Sequence, residues 1–191
     1  MRYVAVLIAC VACAVPAQAT VDPDIDQIGV YFDLNADEVC LEAVDLFSMF
    51  SAYLIITNPS ASDIIGIDVC LRAEGFVQEL GYDWYVGWIG VDWFENGYRC
   101  MGYGFNEPVP FDGLNFPLAR INYMVVGEGG AAFYLDRFPD SFPTYYDSGG
   151  NAYPLGFSSG DRDLPVAVVT RECGVVSTSH ATFGSVKSLY R

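Results

Sequence analysis

The chain is short of the side chains that most often hold metals or move protons. Its 191 residues include one histidine, His180, and one lysine, Lys187. No two cysteines beyond residue 19 stand at the C-x-x-C spacing of a zinc site, and His180 is the only imidazole on offer, so no metal is expected. No phosphate-cradling loop and no G-x-G-x-x-G fingerprint is present, which leaves a cofactor enzyme without support, and the expected cofactor is none. Cations are equally scarce. Nine Lys and Arg stand against 24 Asp and Glu, a formal net charge of −15. A chain this acidic repels nucleic acid and anionic membrane surfaces, so neither is an expected partner. A soluble protein kept apart from its neighbours by like charge accounts for the balance, with a divalent cation or a basic partner as the other use of that charge.

Long apolar runs are missing as well, except at the start. Arg2, the apolar run Val4 to Val15, Pro16 and Ala17-Gln18-Ala19 form the three parts of a secretory signal peptide over residues 1–19. The run is too short to cross a bilayer core of roughly 30 Å. Cleavage after Ala19 removes one base and no acid, taking the net charge to −16. The alternative is a lipoprotein, with Leu7-Ile8-Ala9-Cys10 as the lipobox, although the apolar stretch before Cys10 is shorter than such leaders carry. Either way the chain is expected outside the cytoplasm: periplasmic, at the cell surface or extracellular. Cys40, Cys70, Cys100 and Cys173 then meet an oxidising compartment, which predicts two disulfides. Three connectivities remain open.

The rest of the sequence alternates. Ile65, Ile67, Val69 and Leu71 recur at period two, opposite Ile64, Gly66, Asp68 and Cys70, and Ser51 to Thr57 is apolar on both phases. These two runs read as a pair of central strands joined through Asn58, Pro59 and Ser60. Further strands are expected at Ile28 to Asp33, across Gly81 to Cys100 with a tight Asn96-Gly97 turn, at Leu118 to Val126 with Ala131 to Phe138 as its hairpin partner, and at Leu164 to Thr170. Pro108, Pro110 and Pro117 mark a loop or an edge. Residues 139 to 160 read as a long surface loop with one short strand. No segment has a sustained helical period, and no internal repeat appears. The fold class is therefore all-β: one β-sandwich of about eight strands over residues 20–173, Ig-like, jelly-roll or cohesin-like, followed by a tail over 174–191. That tail is locally basic, with Lys187 and Arg191, and is expected to serve sorting or attachment.

Three stretches bear on chemistry. Tyr82, Trp84, Val86 and Trp88 share one phase of the most aromatic segment; Tyr82, Trp84 and Trp88 are the candidates for a sugar-stacking platform, with packing between sheets as the structural reading. Asp22, Asp24 and Asp26 alternate like the opening of a calcium loop, yet the bending glycine and closing glutamate are not at the required spacing, so a solvated acidic segment is expected. Gly156-Phe157-Ser158-Ser159-Gly160 matches G-x-S-x-G, with Asp161, Asp163 and His180 following. The motif depends on a turn from a strand into a helix, whereas Asp161-Arg162-Asp163-Leu164-Pro165 leads into a strand, so no catalytic residue is assigned.

The segments IGVYFD, YLIITNPS with IIGIDV, MGYGFNEPVP before LARINYMVV, and the ending FGSVKSLYR resemble those of a group of uncharacterised secreted proteins of environmental bacteria. The group's tail usually has Trp where this chain has Phe183. The resemblance implies export and brings no activity with it. The expected function is an exported, non-catalytic structural, adhesive or interaction module, not an enzyme, with another surface protein as partner. A carbohydrate-binding module with a glycan partner is the alternative, and a secreted hydrolase the third.

Overall fold

The computed structural model describes residues 24–42, 45–85, 87–136, 142–171 and Cys173. The expected signal peptide over residues 1–19, Asp22, Val86, His180 and the 174–191 tail lie outside them. Among the described residues every regular element is a strand. Two sheets face each other across one core. The first has the order β12-β1-β3-β8-β5, built from β1 (Gln27–Tyr31), β3 (Met49–Thr57), β5 (Val77–Trp84), β8 (Asn115–Val125) and β12 (Gly156–Phe157). The second centres on β4 (Asp63–Gly75). One edge of β4 pairs with β7 (Tyr98–Pro110), which carries β6 (Trp88–Glu95) beyond it. The opposite edge takes β10 (Thr144–Tyr146) with β11 (Ala152–Pro154), and then β9 (Ala131–Asp136), β13 (Ala167–Thr170) and β2 (Cys40–Glu42). This is the expected all-β sandwich, with thirteen strands among the described residues instead of about eight; β2, β10 and β12 are too short to leave a periodic signal, while β11 is the short strand expected within 139–160.

Two expected pairings and one expected connection are corrected. β3 and β4 do not form a hairpin: β3 is the middle strand of the first sheet and β4 lies in the second, so Asn58 to Ser60 carries the chain from one layer to the other. The same holds for β8 and β9, joined through Gly127 to Gly130. At Gly130 φ is 78°, and a Cβ there would run into the Val169 carbonyl, so only glycine makes this crossing. Period two reports that a strand has an inner face, and both layers of a sandwich share the same interior. The expected connection from Arg72 to Gln78 shrinks to Phe76, since β4 and β5 run up to it from both sides.

Pro108, Pro110 and Pro117 lie within strands, close to register irregularities, where a loop or an edge was expected. β3 and β8 slip register between Leu54 and Ile55, which leaves Leu118 as the extra residue of a bulge. Pro117 lies just beyond the last residue of β8 that β5 pairs, Ala119. Pro108 falls in the stretch of β7 skipped where the pairing with β4 jumps from Gly66 opposite Gly104 to Ile64 opposite Val109. On β4 the matching irregularity also shifts the inward phase, so Ile64 joins Ile67, Val69 and Leu71 in the core and Ile65 turns outward. The one two-residue turn anticipated is present. Asn96 and Gly97 have φ of 51° and 82°, the positive pair that matches a right-handed strand twist between β6 and β7.

Both expected disulfides form. Cys40–Cys173 ties β2 to the end of β13, and Cys70–Cys100 joins residues directly opposite each other on β4 and β7.

Tyr145 on β10 shows how the loop end of the sandwich is held. Its ring is fully buried, stacked 4.9 Å from Tyr153 and edge-on to Phe111 at 5.5 Å. The hydroxyl donates to Asp26 Oδ1 at 2.7 Å and accepts the Ala61 N–H at 3.1 Å. Burial first, and then the bond to Asp26, pushes its pKa up to about 12. A tyrosine that keeps its proton in the fold contributes stability that is complete below its unfolded value near pH 10 and drains as pH climbs toward 12. Chemical denaturation in that window is therefore expected to show falling stability, with a shallower fall in Tyr145→Phe. Equal slopes for the two proteins would refute the assignment.

Candidate functional site

One flank of the sandwich brings charged and aromatic side chains of both sheets together. β5 forms the edge of the first sheet there, and the β6–β7 hairpin forms the edge of the second. The two-residue turn fixes the hairpin register, so Asp92 lies opposite Met101 and shares the inward phase of Arg99, Met101 and Tyr103. Gly90 on the same phase is required by its neighbour, since a Cβ would occupy the space of the Tyr103 ring.

Arg99 is the hub. Its guanidinium pairs with Asp92 through Nε and Nη2 and with Glu79 of β5 through Nη1, and it lies over the Tyr82 ring at 3.9 Å. Asp92 also accepts the Tyr82 hydroxyl at 2.8 Å and the Tyr103 hydroxyl. Burial works against the Arg99 cation, but the Asp92 hydrogen bond and the charges of Glu79 and Asp92 outweigh it and hold its pKa above the usual arginine value. Burial, and then the bond to Asp92, raises the Tyr82 hydroxyl, which stays protonated. The network links the two sheets and uses its donors and acceptors on one another. Its chemistry is that of a clasp rather than a nucleophile or a proton shuttle. Beside it lies an open recess of about 700 Å³ lined by Glu79 to Trp84 and Arg99.

The sugar-platform residues are divided by this geometry. Tyr82 and Trp84 end β5 in the first sheet, whereas Trp88 begins β6 in the second, opposite Phe105. Tyr82 and Trp84 are half-buried against the core, with rings 6.1 Å apart at 90°, and Trp84 meets Tyr103 edge-on at 4.1 Å. Two perpendicular rings give no flat surface for a sugar face. The hub residues Arg99, Asp92 and Glu79 are not apparent from the sequence. The available signal was Asp92 on the inward phase set by the Asn96-Gly97 turn, a charge where a core residue belongs.

Elsewhere, Asp26 is occupied by Ser60 and Tyr145 and Asp24 is exposed. No cluster of metal-ligating side chains occurs among the described residues. The G-x-S-x-G segment runs through β12 into turns and on to β13 without a helix. Ser158 donates its N–H to the Ile28 carbonyl and faces Gly29, and the Ser159 hydroxyl donates to the Asp161 carbonyl. Among the described residues no helix is long and apolar enough to cross a membrane.

The opposite feature is an apolar end. Leu46, Phe47 and Met49, where the chain enters β3, are 53, 66 and 74% exposed. Phe76 and Val126 stand next to them, because the Phe47 N–H bonds the Val125 carbonyl and the Val126 N–H bonds the Phe76 carbonyl. Single exposed apolar side chains are ordinary; these five stand together at one end of the sandwich.

The fold belongs to the cohesin-like class of β-sandwiches. The backbone is similar to the sixth cohesin of scaffoldin B from Acetivibrio cellulolyticus, solved in complex with a Cel5 dockerin, with a TM-score of 0.54 at 10% identity over 78% of this chain and 100% of that one. The cohesin of a type I cohesin–dockerin complex from Clostridium thermocellum gives 0.54 at 10% identity over 77% and 99%. A non-cellulosomal cohesin from Archaeoglobus fulgidus gives 0.50 at 12% identity over 69% and 84%. No protein-family model matches the sequence, and no curated protein does. Of the topologies left open by the sequence, this is the cohesin-like one.

Proposed function

We propose that the protein is an exported, non-catalytic interaction module whose work is to hold another protein. The observation that carries this reading is the contiguous apolar end formed by Leu46, Phe47, Met49, Phe76 and Val126 on an otherwise strongly acidic molecule. Leaving such a group in water costs burial free energy that a partner recovers. The likeness to cohesins solved with dockerins supports the same class, because there the sandwich is a receptor for a protein. Two disulfides fit export to an oxidising compartment, and the self-satisfied Arg99 clasp fits a structural rather than a reactive flank.

Affinity capture from the envelope and exterior fractions, followed by direct titration of each captured protein, tests the reading. Saturable binding should weaken by at least about tenfold in a Phe47→Asp, Met49→Asp variant that melts like the parent. If no protein binds, while glycan-array binding is found and is lost in Trp84→Ala, the carbohydrate reading replaces this one.

A further inference from the structure

The sheet edges of this molecule are unequal. Among the described residues, β12 has two residues and β2 and β11 have three each. β5 is longer, but a bulge at Leu80 breaks it between Glu79 and Gly81, and Asp83 projects from it 62% exposed. Short length, bulges and charge are the devices that keep edges from pairing with other chains. β6 is neither short nor bulged, and its two acids are Asp92 and Glu95. Its eight residues run in unbroken register with β7 from Trp88 to Glu95, and among the described residues it pairs with nothing else. It contains no proline, lysine or arginine. The outward phase presents Ile89 at 73% and Val91 at 65% exposure, while Asp92 turns inward to Arg99. Of its two acids, Asp92 is taken up by Arg99 and Glu95 stands at the strand's last position, so the middle of the outward phase is apolar.

The strand is also complementary to itself. In an antiparallel arrangement about Val91, Ile89 faces Trp93 of the second copy, Val91 faces Val91, and Asp92 faces Gly90. Apolar and aromatic residues then oppose each other across the junction, and no acid opposes an acid, which is the favourable pattern for cross-strand pairs. A two-fold axis through Val91 closes the assembly, so the edge is used up instead of propagating into a fibre.

We infer that β6 is a homodimerisation edge, at which two copies join their larger sheets through an antiparallel β6–β6 pair centred on Val91. This goes beyond the proposed partner-binding role, which uses the far end of β3 and does not depend on it. One strand pair contributes less area than a standard interface, so the dimer forms at high protein concentration. Each copy carries a formal charge of −15, so screening assists association. A basic partner strand would respond to salt in the opposite sense.

Sedimentation velocity of the purified chain over a range of concentrations, at low salt and at about 0.3 M salt, tests this. Mass should move from monomer toward dimer with concentration, and further at the higher salt. Val91→Lys and Ile89→Lys, both at exposed positions, should each weaken dimerisation at least about tenfold without changing the melting curve. Directly opposed Cβ atoms lie about 5 Å apart, so Val91→Cys should form an interchain disulfide under mild oxidation, while Asp83→Cys on the bulged edge should not. A wild-type chain that stays monomeric at high salt, a dimer that persists in Val91→Lys, or Val91→Cys and Asp83→Cys linking equally well would each overturn the assignment.

Discussion

Replacing Cys40 and Cys173 by serine lowers the melting temperature by roughly 10–15 °C. The reason lies in what the bridge holds. β2 is three residues long and, among the described residues, joins the sheet through a parallel pairing with the four-residue β13. Parallel pairs of this length contribute little by themselves. The bridge spans 133 residues, and closing a loop of that size in the unfolded chain is worth about 4–5 kcal/mol in the chain-entropy description. Without it, β2 frays and uncovers Leu41, which packs on the core. Cys70–Cys100 spans only 30 residues and lies within the long β4–β7 ladder, which persists without it, so its loss should shift melting less. Calorimetry on the two double variants decides the matter: a smaller shift for the Cys40 and Cys173 pair than for the Cys70 and Cys100 pair would contradict this account.

Phe133→Ala should cost roughly 3–5 kcal/mol of unfolding free energy. The side chain is fully buried on β9 and reaches across the gap between the sheets. It meets Tyr123 of β8 at 5.2 Å, Phe32 just after β1 at 6.0 Å, and Phe50 of β3 at 6.5 Å, each close to edge-on. Truncation removes the transfer free energy of the ring and leaves a cavity walled by three other rings, which are too rigid to collapse into it. Phe133→Leu keeps most of the volume and should cost about 1–1.5 kcal/mol. Urea unfolding of the two variants separates the effects; equal losses would show that ring volume at this position is not what joins the layers.

Much of the fold can be read along the chain because its strands alternate. Ile28, Val30 and Phe32, Ile67, Val69 and Leu71, and Phe133 with Leu135 are inward at period two and buried in the structure. The Asn96-Gly97 turn is equally legible, since few residues accept two successive positive φ values. The candidate site was harder to see. Tyr82, Trp84 and Trp88 share a sequence phase, but the chain changes layer after Trp84, and phase means nothing across a change of sheet. Arg99, Asp92 and Glu79 come from three strands and two sheets, so their convergence leaves no local pattern.

By itself the sequence determined the class of the protein: an acidic β-sandwich with four cysteines to pair, strands placed by alternation and one turn placed by its chemistry. Each of these follows from interactions within a few residues, or from composition. Only the tertiary structure decided which strands share a sheet, that Cys40 meets Cys173 and Cys70 meets Cys100, and that Pro117 is accommodated beside a bulge. It also decided that β6, among the described residues, stands at a sheet edge with its register to β7 unbroken. Those outcomes depend on which of several apolar faces bury one another, and burial is non-directional: it rewards any inward face, while packing across the whole core selects the partner.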